Sequence, residues 1–400
     1  MASSASLWPR ATRTGAGRPL RVGFLFNHYA PHQVPHAAPY AFELSRRQPS
    51  LEVTIACATA AEETLARRIG DLYPGHRVAF VRLRPRLVER LIDPLVAPHR
   101  FARKRWILRH NLDFFRGLDA LVAPERHCYL LRSRYGLEDL KLIHTRHGAG
   151  DREGGFDERS GAFDLTLLPG RKYVDRLSGM GLLQPGRWAV TGWPKFEVVR
   201  GLGKGRQRLF ENDRPVVVYN PHFDQRVASW ARLGEAVLDF FRRNPAWNLI
   251  FAPHVVLFRR HRRHGAKLPR WARTAPNILI DTGSERSADM TYMLAADIYL
   301  GDVSSQVYEF LLRPRPCIFL DAHGVAWRDD PSYLHWTMGD VVRDVGRELG
   351  PALEAAAARH AGYRPHQEEL FAYTFHEEPG STAAERGADA IARFLATGRA

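Results

Sequence analysis

Short apolar runs separated by glycine, proline and polar clusters organise this chain. Leu20–Phe26, 53–57, 78–81, Ala120–Ala123, Lys141–Thr145 and Leu165–Leu168 are continuous in apolar character rather than alternating. Such runs suit strands covered on both faces, as in parallel sheets. Segments of helical spacing lie between them, the first over 37–47. Strand, helix and strand in repetition predict a doubly wound parallel sheet. A glycine- and arginine-rich passage over 200–214 interrupts the series. A second series then follows at 215–219, 247–252, Ile278–Ile280, 298–300 and Cys317–Leu320. The pattern predicts a basic leader over 1–20, an N-terminal domain over 21–195, a linker over 196–214, and a C-terminal domain over 215–400 that includes the last helix.

The densest local signal is AADIYLGDVSSQVYEFLLRPRPCIFL, 295–320. It predicts a buried strand, the turn Gly301-Asp302-Val303-Ser304-Ser305, a helix over 306–312 and a second buried strand. Hydroxyls opening a helix at the carboxyl end of a parallel strand make an anion site from free N–H groups and the helix dipole. The plainer alternative is that Asp302, Ser304 and Ser305 only cap the helix. As a ligand site, the turn points to phosphate.

With 400 residues and 45% hydrophobic composition, the chain can bury two ordinary domains. A formal net charge of +15 attracts polyanions without choosing among nucleic acid, anionic lipid and phosphorylated substrates. Cys57, Cys128 and Cys317 show no CxxC spacing, so neither a disulfide framework nor a zinc site is expected. The first twenty residues lack the apolar core of a signal peptide, and no run approaches the ~18 apolar residues of a membrane span. These features predict a cytoplasmic protein, soluble or peripheral on the inner face of the membrane. Neither GxGxxG nor GxxxxGK[ST] stands at a first βα turn, and DxD and HExxH are absent. Dinucleotide, P-loop and metal-dependent readings lose their main support, and no cofactor is expected.

Candidate chemistry sits in the loops after strands. His144 to Arg152 places His147 and Gly148 between Arg146 and Arg152, a loop able to hold a hydroxyl against a base. Ala252-Pro253-His254 precedes Arg259 and Arg260, which can pair with anionic oxygens. Asn220 and His222 end the first strand of the second series, where Asn-Pro is also ordinary turn chemistry. His28, His32 and His36 are spaced four apart, but Pro31 and Pro35 break the helix that would make them a metal face. One of them can instead meet an acceptor. Basic and large apolar residues interleave over 82–109, a pattern for an anionic membrane surface or for a helix packed on the sheet. No RNA-binding signature accompanies the charge, so no nucleic-acid partner is expected.

On these residues the second half resembles the CDP-glycerol glycerophosphotransferase family, the teichoic-acid-type polymerases and primases. Asp302-Val303-Ser304-Ser305 looks like that family's aspartate turn, with valine in place of tyrosine. His147-Gly148 resembles its His-Gly loop, His254 its Arg-x-His-Pro histidine without the arginine, and Asn220-Pro221-His222 its Ala-Pro-Thr strand end. Pro379-Gly380-Ser381-Thr382 resembles its C-terminal cap. The resemblance spans 143 to the C-terminus and implies a GT-B fold, two Rossmann-like domains facing a central cleft. It also implies metal-independent transfer of glycerol- or ribitol-phosphate from a CDP-activated donor, or another nucleotide-diphosphate donor, to an envelope glycan or lipid-linked acceptor. His147 would be the base. His254, Ser304 and Ser305, with Asp302, Asn220, His222, Gly148 and Arg259, would hold the diphosphate, and His28, His32, Arg146 and Arg152 would lie on the acceptor side. The competing readings are a GT-B glycosyltransferase, a UDP-sugar 2-epimerase and a non-catalytic polyanion-binding module.

Overall fold

The computed structural model describes residues 18–29, 31–85, 100–152, 156–258 and 268–400. The chain divides into two compact units. The first comprises Met1–His147, Asp157–Leu202 and Phe375–Ala400, and the second Gly148–Phe156 and Gly203–Thr374.

The first unit holds β1 (Leu20–Phe26), β2 (Leu51–Cys57), β3 (Ala79–Arg82), β4 (Ala120–Ala123), β5 (Lys141–Thr145), β6 (Leu165–Leu168) and β7 (Trp188–Val190). They form one parallel sheet in the order β3-β2-β1-β4-β5-β6-β7. On one face of β1, Val22, Phe24 and Phe26 join Val53, Ile55 and the helix Ala38–Arg47; on the other, Leu25 meets Leu121, Leu142 and Phe115. Full burial of each large side chain contributes ~1.5–3 kcal/mol, which is why the continuous apolar pattern selects a two-faced sheet.

The second unit holds β8 (Val216–Asn220), β9 (Asn248–Phe251), β10 (Ile278–Ile280), β11 (Ile298–Gly301), β12 (Cys317–Leu320) and β13 (Asp340–Val342). Its parallel sheet runs β10-β9-β8-β11-β12-β13. Each sheet reverses its order beside its first strand, between β1 and β4 and between β8 and β11. Ligands of doubly wound sheets bind outside the strand carboxyl ends at that point.

Three sequence expectations change. The helix Ala383–Thr397 packs on the first unit, not the second: Ala384, Ala388, Ile391 and Phe394 enter its core, and Arg47 pairs with Asp389 at 2.8 Å. Gly387 permits this, because a Cβ there would clash with the Tyr40 ring. Residues 196–202 are not linker, since the helix Pro194–Gly201 buries Phe196, Val198 and Val199 in the first unit. The helix after the Ser304-Ser305 turn is shorter than 306–312, spanning Gln306–Phe310. So short a helix weakens the dipole argument for that turn.

No helix among the described residues is long and apolar enough to cross a membrane. Residues 86–99 of the basic segment lie outside the described residues. In the helix Arg100–His110, Ile107 and Leu108 are buried with Leu83 in the core, and Lys104 is buried too. The described residues Lys104, Ile107 and Leu108 of this helix thus face the core.

Candidate active site

In the second unit Asp302 follows β11 at the reversal point and is fully buried. Its carboxylate accepts from the N–H groups of His222 (2.9 Å), Val303 (2.6 Å) and Ser229 (2.7 Å), and from Ser229 Oγ (2.8 Å). Burial raises its pKa, against the pull of these donors. Both oxygens are therefore engaged in tying the loop after β8 to the turn after β11. Asp302 shapes the candidate phosphate site rather than touching an anion.

The two imidazoles of this loop cluster have defined tautomers. His222 Nδ1 accepts from the Asp224 N–H at 3.1 Å and faces Arg152 Nη1 at 3.2 Å. His254 Nδ1 accepts from the Val256 N–H at 3.2 Å. A neutral ring that accepts through Nδ1 carries its proton on Nε2, so both rings are Nε2–H donors, with centroids 5.5 Å apart. Burial, reinforced by the Arg152 guanidinium and by His254 whenever that ring takes up a proton, holds the His222 pKa well below the usual histidine range. Asn220 spends Nδ2 on the Ala252 carbonyl at 2.6 Å, while its buried Oδ1 has no partner among the described residues. Ser304 is buried and Ser305 half-buried at the head of the short helix. Gly148 and Gly150 lie against Ser305: a Cβ at Gly150 would stand 3.1 Å from the Ser305 Cβ.

Arg152, expected on the acceptor side, belongs to the second unit. Its guanidinium reaches His222 and bonds Asp224 Oδ2 at 2.9 Å, because the segment Gly148–Phe156 packs with that unit. Arg259 and Arg260 lie outside the described residues.

A buried pair that the sequence reading missed anchors the same segment. Asp151 Oδ2 accepts from His335 Nδ1 (2.9 Å), the His335 N–H (3.2 Å) and the Tyr308 hydroxyl (2.7 Å). His335 Nε2 and Trp336 Nε1 both donate to the Asp302 carbonyl at 2.9 Å. Asp151 and His335 are 1% and 2% exposed. Replacing His335 with alanine removes its two buried side-chain hydrogen bonds, to Asp151 and to the Asp302 carbonyl, and should cost ~1–3 kcal/mol. Urea unfolding followed by tryptophan fluorescence checks this, and a loss below 1 kcal/mol, roughly that of a surface pair, would contradict it.

The first unit supplies the other candidates. His147 follows β5, and its Nδ1 donates to the Pro124 carbonyl at 2.5 Å. Nε2 is thus the unprotonated nitrogen, the atom a base requires. The ring is exposed to solvent, yet protein crowds its remaining sides. That desolvation, reinforced by His28 whenever that ring takes up a proton, lowers its pKa to about 4, against the raising effect of the Pro124 carbonyl; water at the open face moderates the shift. His28 and His32 have ring centroids 4.9 Å apart, each 6.3 Å from His147. Their loop is not plain coil, since Pro31–His36 forms a 3₁₀ turn. His36 packs on Trp193 instead, with centroids 4.6 Å apart. Arg146 stacks over Tyr173 at 4.6 Å.

Lys104 Nζ donates to Glu125, which follows β4, and to His28 Nδ1 at 2.8 Å. His127 Nδ1 bonds the same Glu125 oxygen at 3.1 Å. Burial tends to raise the Glu125 pKa, but the imidazole hydrogen bonds and the Lys104 charge hold it well below the usual carboxylate range. Glu125 and Asp151 escaped the sequence reading because their partners are distant in the chain and no spacing marks them.

No protein-family model matches this chain, and no curated protein sequence matches it. Solved structures do match across nearly its whole length. The wall teichoic acid polymerase TagF superposes with a TM-score of 0.58 at 14% identity, covering 95% of this chain and 90% of that chain. A His-to-Asn variant of TagF soaked with CDPG gives 0.57 at 13% identity, over 95% and 89%. A UDP-GlcNAc 2-epimerase from Neisseria meningitidis, bound to UDP-GlcNAc, gives 0.52 at 10% identity, over 94% and 99%. The likeness at such identities is one of fold, and the fold is the two-domain Rossmann-like α/β architecture of these proteins.

Proposed function

We propose that the chain is a transferase using a nucleotide-diphosphate donor, and that it moves a polyol phosphate from a CDP-activated polyol to an acceptor hydroxyl of an envelope glycan or lipid-linked chain, without a metal. The reading assigns it to the CDP-glycerol glycerophosphotransferase family and to the cytoplasm, at the inner face of the membrane. The observation that carries it is the turn after β11, fixed by Asp302 at the reversal point beside the imidazoles of His222 and His254. These N–H donors, with the Ser304 and Ser305 hydroxyls and their backbone, can hold a diphosphate and steady the negative charge on its departing oxygen.

In the proposed reaction His147 Nε2 takes the proton of the acceptor hydroxyl. The hydroxyl oxygen then forms a bond to the polyol-bearing phosphorus. The bond from that phosphorus to the bridging oxygen breaks, and the electron pair leaves on CMP, stabilised by His254, Ser304 and Ser305. The likeness to TagF soaked with CDPG supports this order of preference, and the epimerase bound to UDP-GlcNAc supports a UDP-sugar as the competing donor.

Thermal shift with CMP, CDP, UDP and GDP tests the reading. Stabilisation follows RT ln(1 + [L]/Kd), about 2.7 kcal/mol at a hundredfold excess over Kd. A shift confined to cytidine nucleotides, with CMP released from CDP-glycerol, is expected. A shift confined to UDP would replace the donor, and salt-sensitive binding of every polyanion alike would leave only a binding module.

A further inference from the structure

At the amino ends of the second sheet, a cavity of about 380 Å³ opens beside β8 and β11. Val216, which begins β8, and Ala295, just before β11, both line it. The rest of its wall is the passage 206–214, which carries Arg206, Arg208 and Arg214 with Asn212 and Phe210 and belongs to the second unit. The turn of Asp302, Ser304 and Ser305 lies at the opposite, carboxyl end of the same sheet, four residue steps of ~3.3 Å away along β8. The cavity is therefore separate from the candidate phosphate turn.

Charge selects the chemistry of its occupant. Three guanidiniums hold the segment around Ala295: Arg313 Nη2 donates to the Leu294 carbonyl at 3.0 Å, Arg315 Nη1 donates to the Ala296 carbonyl, and Arg206 Nη2 pairs with Asp297 Oδ1 at 2.8 Å. The nearby carboxylates are already engaged. Asp297 is spent on Arg206 and on the Val216 N–H at 3.0 Å, and Asp213 on Arg208 at 3.2 Å. Arg315 is 8% exposed and bonds carbonyl oxygens alone, and neither Arg313 nor the exposed Arg214 has a carboxylate partner among the described residues. Burial first, then the charges of Arg313 and, less, Arg206, lower the Arg315 pKa against the effect of Asp297. Guanidiniums in excess around a concave space attract an anion, and their planar forks match phosphate oxygens two at a time. The volume falls within the range of small-molecule sites, about 300–1,000 Å³.

We propose that this cavity is a second anion site of the chain, one that binds a multiply charged phosphate group through Arg206, Arg208 and Arg214. The group arrives on a soluble molecule or on a lipid headgroup. The site stands on the cavity and its arginines, and does not depend on the transferase reading.

The test uses the full chain and inorganic triphosphate, with hydrogen exchange read peptide by peptide so that binding is located as well as measured. Triphosphate is expected to slow exchange over 206–214 and 292–297 in the wild type. Arg214→Gln and Arg206→Gln should each raise the concentration at the midpoint of that protection about tenfold, the worth of one charge-assisted hydrogen bond. Arg347→Gln, which removes an exposed arginine outside the cavity, should leave the midpoint unchanged. No protection over 206–214, protection confined to 301–305, or an equal shift in Arg347→Gln would each overturn the site. Sedimentation with phosphatidylcholine vesicles containing phosphatidic acid decides the source of the phosphate. Capture that triphosphate competes away and Arg214→Gln abolishes assigns the lipid headgroup; no capture, or capture that neither affects, assigns a soluble phosphate.

Discussion

Replacing His147 with alanine is expected to reduce transfer by about 10²- to 10⁴-fold, the usual contribution of a positioned general base, while the nucleotide-induced thermal shift stays intact. The separation follows from the architecture: His147 ends β5 of the first unit, whereas His222, His254 and the serine turn belong to the second. The pH profile gives an independent readout. A base works deprotonated, so activity is lost as pH falls through its pKa. Crowding by the surrounding protein places that pKa below the usual 6.5, toward about 4. Activity should therefore be flat across pH 6–8 and decline only on the acid side, whereas an ordinary histidine would show its half-point near 6.5. His147→Gln, similar in size but unable to take a proton at neutral pH, should be as impaired as the alanine variant. Undiminished turnover in either variant would remove the assignment.

Asp302→Ala is expected to be the most damaging substitution for stability, costing about 3–5 kcal/mol. It leaves the N–H groups of His222, Val303 and Ser229 and the Ser229 hydroxyl without their acceptor in a fully buried site. Trp336 donates to the carbonyl of the same residue, so tryptophan fluorescence during urea unfolding reports on the site directly. Asp302→Asn is the informative companion. If the carboxylate organises the loop, the amide fails as well, because its NH₂ faces groups that also donate. If Asp302 instead sat against bound phosphate, removing its charge would tighten nucleotide binding with little loss of stability. Wild-type stability in the asparagine variant would refute the organising role.

Eleven of the strands were legible as continuous apolar runs, and their parallel pairing followed from the helical spacing between them. The three-residue strands β7 and β13 went unread: neither is the continuous aliphatic run that made the equally short β10 legible, since β7 opens on a half-buried tryptophan and β13 on an aspartate. The Asp302-Val303-Ser304-Ser305 turn was visible as a ligand-side loop because position after a parallel strand is a local property. The part of Asp302 within it was not, since three of its four donors come from a loop more than seventy residues earlier.

The sequence by itself determined the two βα series, the loops at their strand ends and the residue types those loops carry. These are consequences of periodicity and turn chemistry, which act over a few residues. Tertiary structure alone decided that the last helix completes the first unit, that Arg152 joins His222, and that His335 is paired with Asp151. It also decided which imidazole nitrogens carry protons and which buried amides are left unpaired. A tautomer or a buried ion pair is fixed by the nearest partner in space, and in a doubly wound sheet the strands that meet at the reversal point are separated in the chain by whole strand-helix repeats.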